Sequence, residues 1–391
     1  MGMLEYMKFP ISEYKNRSDR ARELMSKSGL KGLFICERTN YHYFSGGHGG
    51  LDYARPTLML LPLEGEPIVL VHKFCDENRR RETWVKDVRV YSTLRGTPFD
   101  MLIEAMGDLG LNEGKVGAEL GFEQRIGVPY NDFVQIQELL PKVEFTDAAS
   151  VFWGVRMIKS KAEIECIRRA CQITIKAFEL TFSDMCEGMS EKDIFDKFIK
   201  NQTNLGGDSP WGIINSGPEN YSCIGTGQPL NRKIEKGNIV WIDAGCGYNN
   251  YNSDFCCAGS VGKPSAEQQN MQEIVIKITN YLLKSIRPGM KACEIDALNS
   301  AEWEKYGYDY SKIDFGGGRI GHGLGLLGTE PPHIGPEDQT VIQPGMVFTI
   351  EPGYPTKYGV FQIEMDVFMN EEGNMEILNQ FDRNLRIITT K

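Results

Sequence analysis

The residues with the clearest potential for chemistry are four carboxylates and one imidazole in the C-terminal part of the chain. They lie in the segments VWIDAG, NSDF, GHGLG, TIEPG and QIEMD. The set is Asp243, Asp254, His322, Glu351 and Glu364. A ligand set this rich in oxygen suits Mn, Fe, Co or Zn ions. Two ions that share it can hold a hydroxide and polarise a substrate, so the pattern indicates a dinuclear metalloenzyme.

The sequence around these acids favours a buried site. A lone aspartate in a strand-turn pair is usually a turn or surface residue, and a lone Gly-His-Gly is usually a loop. Here the acids follow apolar residues, as in Trp-Ile-Asp, Phe-Thr-Ile-Glu and Phe-Gln-Ile-Glu. Because a buried carboxylate costs free energy unless it is paired or bound to metal, four such carboxylates together with the histidine predict a metal site. We expect the carboxylates to converge on one face of a sheet, with His322 supplied by a loop.

Composition restricts the classes of partner. The 391 residues include 43 basic and 53 acidic side chains, so two domains and an acidic surface are expected. A net charge of −10 argues against nucleic acid or an anionic membrane as the main partner. The sequence lacks an apolar run of membrane-spanning length and a signal-peptide pattern. The ten cysteines form no C-x-x-C pair, which is typical of reduced thiols and favours the cytoplasm.

The first part of the chain alternates helix-like and strand-like stretches. Arg17–Ser28 has helical periodicity, and a glycine-rich loop that carries His48 is expected over residues 39–50. Short apolar runs predict buried strands. These strands are Gly32–Cys36, Thr57–Leu61 and Pro67–Val71. An α/β domain is therefore expected over residues 1–155.

The pattern changes near residue 155. Ser160, Ser190 and Ser265 each begin a capping-box pattern that predicts a helix, and a further helix is expected near Lys291–Tyr306. Strand-like segments make up much of the remainder. They are residues 238–245, 253–261, 346–351 and 360–369. Residues 156–391 are therefore expected to form an α+β domain with a mostly antiparallel sheet.

The order Asp, Asp, His, Glu, Glu, together with the motifs WIDAG, GHGLGL and IEPG, resembles the pita-bread metallopeptidase family. Its members include prolidase, aminopeptidase P, methionine aminopeptidase and creatinase. The N-terminal part is similar to the creatinase-type domain of prolidase and aminopeptidase P, through TNYHYFSG and RMIKSKAEI. The resemblance covers nearly the whole chain. It implies a creatinase-like N-terminal domain, a pita-bread C-terminal catalytic domain and a homodimer.

The resemblance also implies a role for each ligand. Asp243 would chelate one ion, and Asp254 and Glu364 would bridge two. His322 and Glu351 would complete the second ion, and Glu351 would accept the proton of the attacking water. Two divalent ions (Mn, Fe, Co or Zn) and a short peptide or other small substrate are thereby expected.

The chain departs from the Xaa-Pro peptidases of this family at residues that handle the substrate. Their two further histidines correspond to Thr226 and Thr329, and the arginine before the last metal glutamate corresponds to Gln362. A hydroxyl cannot replace the charge of an imidazolium, and loss of a general acid typically costs roughly 10²- to 10⁴-fold in rate. These three residues and Tyr354 are the expected substrate-binding residues.

Three functions are compatible with these departures. The first is a metal-dependent hydrolase with Xaa-Pro peptides as the default substrate, in which Glu330 or His333 is adapted to catalysis. The second is a metal-dependent lyase of a small carboxylated osmolyte, similar to dimethylsulfoniopropionate lyases, with Glu330 or a nearby tyrosine as base. The third is a non-catalytic binding relative, against which the retention of every ligand argues. In addition, His48 is a candidate to supply an imidazole to the active site of a dimer partner.

Overall fold

The chain divides by its internal contacts into two units, Met1–Arg156 and Met157–Lys391. The computed structural model describes residues 7–48, 55–218, 229–310 and 318–390. Within these ranges, no helix has the length and apolar composition needed to cross a membrane.

The N-terminal unit is built on a mixed β-sheet, which has six strands in the described residues. The strands are β1 (Gly32–Ile35), β2 (Leu58–Pro62), β3 (Ile68–His72), β4 (Asp87–Tyr91), β5 (Gly114–Ala118) and β6 (Val143–Asp147). Their order is β4-β3-β2-β1-β5-β6, with β1 antiparallel to β2 and parallel to β5. The first three strands are buried along their whole length, as their apolar runs predict.

Helices accompany this sheet, so the predicted α/β arrangement is confirmed. They are α1 (Ile11–Lys27), α2 (Arg38–Ser45), α3 (Asp76–Glu82), α4 (Phe99–Asp108), α5 (Tyr130–Leu139) and α6 (Ala149–Arg156). One core of the unit joins Leu102 and Met106 of α4 and Phe133 of α5 to Phe34 and Leu60 of the sheet. Each fully buried side chain of this size contributes about 1.5–3 kcal/mol to folding.

The prediction of a loop over residues 39–50 is wrong for its first half, because α2 occupies it. The carboxylate of Glu37 accepts hydrogen bonds from the backbone N–H groups of Thr39 and Asn40, which caps the helix. The helix ends at Gly46, whose φ of 81° is a conformation that favours glycine. The glycines of this segment suggested a loop over its whole length, but the helix cap at Glu37 lies before all of them.

Glu119, directly after β5, is a buried carboxylate that ties together the start of α2 and the end of β1. Its Oε2 accepts hydrogen bonds from the backbone N–H groups of Cys36 (2.9 Å) and Glu37 (2.8 Å). Its Oε1 accepts one from Asn40 Nδ2 at 3.0 Å. Burial raises the pKa of Glu119 to about 7, although these hydrogen bonds oppose the rise.

The C-terminal unit contains two larger sheets and a separate hairpin. The strands of the first sheet are β7 (Asp208–Ser216), β8 (Ile239–Tyr248), β9 (Tyr251–Asn252), β10 (Phe255–Val261) and β18 (Arg386–Ile388). Those of the second sheet are β11 (His322–Gly323), β12 (Glu330–His333), β13 (Val347–Ile350), β16 (Met365–Met369) and β17 (Met375–Ile377). The hairpin pairs β14 (Gly353–Thr356) with β15 (Gly359–Gln362). Pairing is antiparallel except between β10 and β18, which confirms the predicted mostly antiparallel arrangement.

The helices of this unit are α7 (Lys161–Asp184), α8 (Glu191–Asn204), α9 (Ala266–Ser285) and α10 (Ala292–Lys305). The three predicted capping boxes are all present, at Ser160, Ser190 and Ser265. One core of the unit packs Ile278 and Leu282 of α9 against strand residues such as Phe348. This packing supports the strands that carry the candidate ligands.

We predict that replacing Glu119 changes how stability depends on pH. A carboxyl whose pKa is higher in the folded than in the unfolded chain makes its full contribution to stability when the pH is below its pKa in the unfolded chain. Its contribution is lost as the pH rises from about 4.5 through about 7. At about 1.4 kcal/mol per pKa unit, the wild-type protein should lose roughly 3 kcal/mol relative to Glu119→Gln over this range.

Urea denaturation of the full chain between pH 4.5 and pH 8 measures this difference. Glu138→Gln is the control, because Glu138 is exposed on α5. A difference between wild type and Glu119→Gln that stays constant with pH would contradict the prediction.

Candidate metal centre

Two of the candidate ligands belong to the first sheet of the C-terminal unit. Asp243 lies within β8, where its Cα is opposite Cys256 of β10 and Ile213 of β7. Asp254 directly precedes β10. Because β8 and β10 are antiparallel neighbours, the turn between them brings the two aspartates to the same region of the sheet.

The other three candidate ligands come from the second sheet and the hairpin. His322 lies on β11, and its backbone N–H donates to Thr349 Oγ1 at 3.1 Å. Glu351 directly follows β13, and its N–H donates to the carbonyl of Ile320 at 2.9 Å. Glu364 lies between β15 and β16. The prediction of one shared sheet face is therefore wrong, since two sheets supply the ligands.

Three of the four candidate carboxylates converge on the Nε2 atom of His322. Its distances are 3.5 Å to Asp254 Oδ2, 3.7 Å to Glu364 Oε1 and 3.8 Å to Glu351 Oε1. The other ring nitrogen, Nδ1, donates to the carbonyl of Gly323 at 3.1 Å. This bond leaves the lone pair of Nε2 facing the carboxylates, which is the usual arrangement of a histidine that binds metal.

The electrostatics of the cluster are those of carboxylates taken out of water. Burial raises the pKa of Asp243 to about 6 and that of Glu351 to about 8. It also raises the pKa values of Asp254 and Glu364 well above their usual range, and the neighbouring acids add to the rise. Burial lowers the pKa of His322 to about 3, so its imidazole is neutral. A neutral imidazole among crowded carboxylates is suited to bind cations.

The residues present fit divalent metal ions. The buried atoms Asp243 Oδ1 and Glu364 Oε1 have no hydrogen-bond partner among the described residues. Ligand atoms of Asp254, His322 and Glu364 all lie within 4.8 Å of one another. Carboxylate oxygens of this kind, together with one imidazole nitrogen, match the donor preference of first-row divalent ions. A bound cation would satisfy the unpaired oxygens and offset the repulsion between the acids.

Two polar side chains hold ligands in place. Gln362, predicted to bind substrate, uses its amide to donate to Oε2 of Glu351 at 3.1 Å and to the Glu351 carbonyl at 3.2 Å. Asp366 accepts at Oδ2 from the backbone N–H of Asp254 (3.1 Å) and from Cys171 Sγ (3.2 Å). The sequence analysis did not select Asp366, although it follows an apolar strand pattern like that of the ligands.

Glu330, predicted as a catalytic group, is buried in an ion pair. Its Oε1 lies 2.8 Å from Lys159 Nζ, and each side chain is only 1% exposed. Because an ammonium ion holds this carboxylate as an anion, the contact favours a structural role. Lys159, another residue that the sequence analysis missed, is held in turn by its backbone N–H, which donates to the carbonyl of Gly345 at 2.9 Å.

His333 and Thr329 lie beside the ligand histidine. The Cα of His333 on β12 is directly opposite that of His322 on β11. A guanidinium that the sequence analysis did not select, that of Arg319, contacts both residues. Its NH1 lies 2.8 Å from His333 Nδ1, and its NH2 lies 3.4 Å from Thr329 Oγ1.

Tyr354 belongs to a cluster of aromatic rings at the start of the hairpin. Its ring centroid is 4.7 Å from that of Tyr308 and 5.2 Å from that of Trp303. Tyr310 stacks on Trp303 at 5.9 Å. Burial raises the pKa of Tyr310, and the charge of Glu351 adds to the rise.

The remaining predicted site residues lie elsewhere or outside the described part of the chain. His48 follows α2 in the N-terminal unit, where its backbone N–H donates to Glu82 Oε2 at 3.1 Å. Its ring packs edge-on against that of His42, with centroids 5.4 Å apart. Its contact with a partner subunit stays a prediction. Thr226 lies outside the described residues.

Two family models match the chain. The model of metallopeptidase family M24 matches residues 165–371, and the Creatinase/Prolidase N-terminal domain matches residues 17–158. The chain belongs to metallopeptidase family M24 and is a metal-dependent hydrolase. The predicted combination of a creatinase-like N-terminal domain with a pita-bread C-terminal domain is confirmed.

Individual relatives are similar over almost their whole length. An Xaa-Pro dipeptidase of Pyrococcus furiosus is 31% identical over 368 residues, which are 92% of this chain and 96% of that protein. The solved prolidase of Pyrococcus horikoshii OT3 is 28% identical, covers 95% of this chain and 99% of its own, and has a TM-score of 0.79. The solved prolidase of Thermococcus sibiricus is 27% identical, covers 97% of this chain and 99% of its own, and has a TM-score of 0.82. These relatives give no support to the lyase alternative.

We predict that manganese stabilises the protein through this cluster. Because a cation offsets the repulsion between buried carboxylates only in the folded state, Mn²⁺ should raise the thermal unfolding temperature by roughly 5–10 °C. Glu364→Gln should remove most of that rise and lower the metal content measured by elemental analysis. Glu372→Gln is the control, since Glu372 is exposed. Equal rises in both variants would show that the metal binds elsewhere.

We predict that Glu330→Gln lowers the free energy of unfolding by about 3 kcal/mol, because it leaves the buried ammonium of Lys159 without a counter-charge. Combining Lys159→Met with Glu330→Leu should recover much of this loss. The matched control is Glu179→Gln, which breaks an exposed pair with Lys176 of the same 2.8 Å length and should change stability little. A Glu330→Gln protein of unchanged stability with abolished turnover would instead make Glu330 catalytic.

Proposed function

We propose that this metallopeptidase hydrolyses Xaa-Pro peptides with two divalent ions, of which manganese is the default choice. The observation that carries the proposal is the convergence of three of the four candidate carboxylates on the Nε2 atom of His322, within a buried cluster that has unpaired oxygens. The Xaa-Pro dipeptidase of P. furiosus, similar over 92% of this chain, supports the choice of substrate.

Each ligand has a part in the proposed mechanism. Asp243, Asp254, His322, Glu351 and Glu364 would hold the ions. Bound divalent ions supply a Lewis acid for the scissile carbonyl and lower the pKa of a coordinated water. Glu351 is the proposed proton acceptor for the attacking water. Gln362 fixes Oε2 of that carboxylate, and Oε1 faces the imidazole of His322 at 3.8 Å.

The aromatic cluster is the proposed contact surface for the proline ring. Tyr308 and Tyr354 are partly exposed and pack on the buried Trp303. Tyr354 is only three residues from Glu351 in sequence. A flat aromatic surface suits the apolar face of a pyrrolidine ring. Tyr354 is thus assigned to substrate binding through its ring.

The burial of Glu330 supports the hydrolase over the lyase, because Glu330 is a candidate base of the lyase. A proton-abstracting base needs a carboxylate that can reach the substrate, whereas Glu330 is buried against Lys159 at 2.8 Å. His333 remains a candidate catalytic group through its position beside His322.

The proposal extends to the organisation of the protein. Residues 156–391 carry out catalysis, and residues 1–155 form a domain that assists a homodimer. His48 is the residue of that domain proposed to contact the active site of the partner. The absence of a spanning helix among the described residues is compatible with the proposed cytoplasmic location.

We predict that the purified protein loaded with Mn²⁺ cleaves Ala-Pro faster than Ala-Leu. Liberated amino acids are the measured products, and Co²⁺, Fe²⁺ and Zn²⁺ are compared with Mn²⁺. Glu364→Gln should reduce turnover at least about 100-fold, because it removes a carboxylate that would hold the ions. Glu372→Gln again provides the control.

The proposal fails if metal-loaded protein cleaves neither dipeptide. Cleavage of dimethylsulfoniopropionate by the same preparation would then favour the lyase. Elemental analysis of each preparation ensures that a negative result does not reflect missing metal.

A further inference from the structure

The guanidinium of Arg319 is fixed beside the metal centre by two side chains. Its NH1 lies 2.8 Å from Nδ1 of His333, and its NH2 donates to Thr329 Oγ1 at 3.4 Å. A guanidinium only donates hydrogen bonds, so Nδ1 of His333 is the acceptor. The two contacts hold the planar group at the strand that pairs with the strand of His322.

Arg319 lies close to the candidate ligands. It is three residues before His322 in the sequence, and its partner His333 is directly opposite His322 on the neighbouring strand. Arg319 is half-buried, so part of its side chain remains accessible. It therefore combines closeness to the metal centre with access for a ligand.

Among the described residues, no carboxylate lies within salt-bridge distance of this cation. Lys159 is neutralised by Glu330, and the residues at positions 329 and 362 are an uncharged threonine and glutamine. In the part of the chain that the structure describes, Arg319 forms hydrogen bonds with His333 and Thr329 but no salt bridge. A half-buried guanidinium with spare donors is suited to bind a carboxylate through two parallel hydrogen bonds.

We propose that Arg319 binds the free carboxylate of an Xaa-Pro dipeptide and thereby selects dipeptides over longer or C-terminally blocked peptides. The inference rests on the proposed function and narrows its substrate class. Arg319 acts in binding and specificity, while the carboxylate cluster carries the hydrolysis. Thr329 and His333 orient the guanidinium.

Kinetics with a matched pair of substrates test the proposal. Ala-Pro carries the carboxylate, and Ala-prolinamide replaces it with a neutral amide. Arg319→Ala should raise KM for Ala-Pro by roughly 10- to 100-fold, as expected for loss of hydrogen bonds to a charged group, and leave kcat nearly unchanged. KM for the amide should change little. Arg319→Lys, which keeps the charge but not the planar fork, should give an intermediate KM.

Arg169→Ala is the control variant, since Arg169 is an exposed arginine of the same unit that contacts only Gln172 in the described residues. It should behave as wild type with both substrates. If Arg319→Ala reduces kcat/KM equally for acid and amide, the assignment to the carboxylate is overturned. Thermal unfolding and metal content identify any variant that has lost its structure.

Calorimetric binding separates failure of this inference from failure of the proposed function. L-proline and L-prolinamide are titrated into Mn²⁺-loaded wild type and Arg319→Ala. A preference for proline that disappears in Arg319→Ala supports the inference even if wild type cleaves no dipeptide, in which case only the proposed function fails. Equal proline binding by both proteins, or no proline binding by wild type, overturns the inference.

Discussion

The burial of several carboxylates side by side is the constraint on which the rest of the C-terminal unit depends. Two unit charges 4 Å apart repel by about 4 kcal/mol at the effective dielectric constant of a protein. The raised pKa values of Asp254, Glu351 and Glu364 express the loss of water together with this repulsion, and the raised pKa of Asp243 expresses the loss of water. Such a cluster is stable only where the surrounding structure fixes the acids and a cation neutralises them.

The two sheets provide that fixation through their backbone hydrogen bonds. Asp243 lies inside β8, which pairs with a strand on either side. The segment of His322 is tied to β13 through Thr349, and Glu351 is tied back to Ile320. Asp366 binds the backbone of Asp254, so a residue of the second sheet positions a ligand of the first. The geometry of the candidate ligands thus depends on both sheets, because a residue of the second sheet orients a candidate ligand beside the first.

The candidate ligands could be selected from the sequence, but their supporting contacts could not. The ligand motifs are local: each acid or imidazole is recognised by its immediate neighbours, and strand alternation places it. Lys159 and Glu330 are 171 residues apart, and no local pattern pairs them. Gln362 was selected for its position, but its hydrogen bonds to Glu351 depend on how the hairpin folds. Helix α2 was missed because its glutamate cap preceded a segment whose glycines suggested a loop.

The pairing of Thr329 with Arg319 gives a physical account of one departure from the family pattern. A protonated imidazole at position 329 would repel a guanidinium 3.4 Å away, whereas the threonine hydroxyl accepts a hydrogen bond from it. Thr329 therefore replaces a histidine that could carry a positive charge, and its hydroxyl accepts a hydrogen bond from the positively charged Arg319 in nearly the same place. His333 completes the arrangement by accepting from the same guanidinium at 2.8 Å. Positive charge beside the metal centre is in this way retained on a different side chain. Unlike imidazolium, this guanidinium keeps its charge throughout the neutral pH range.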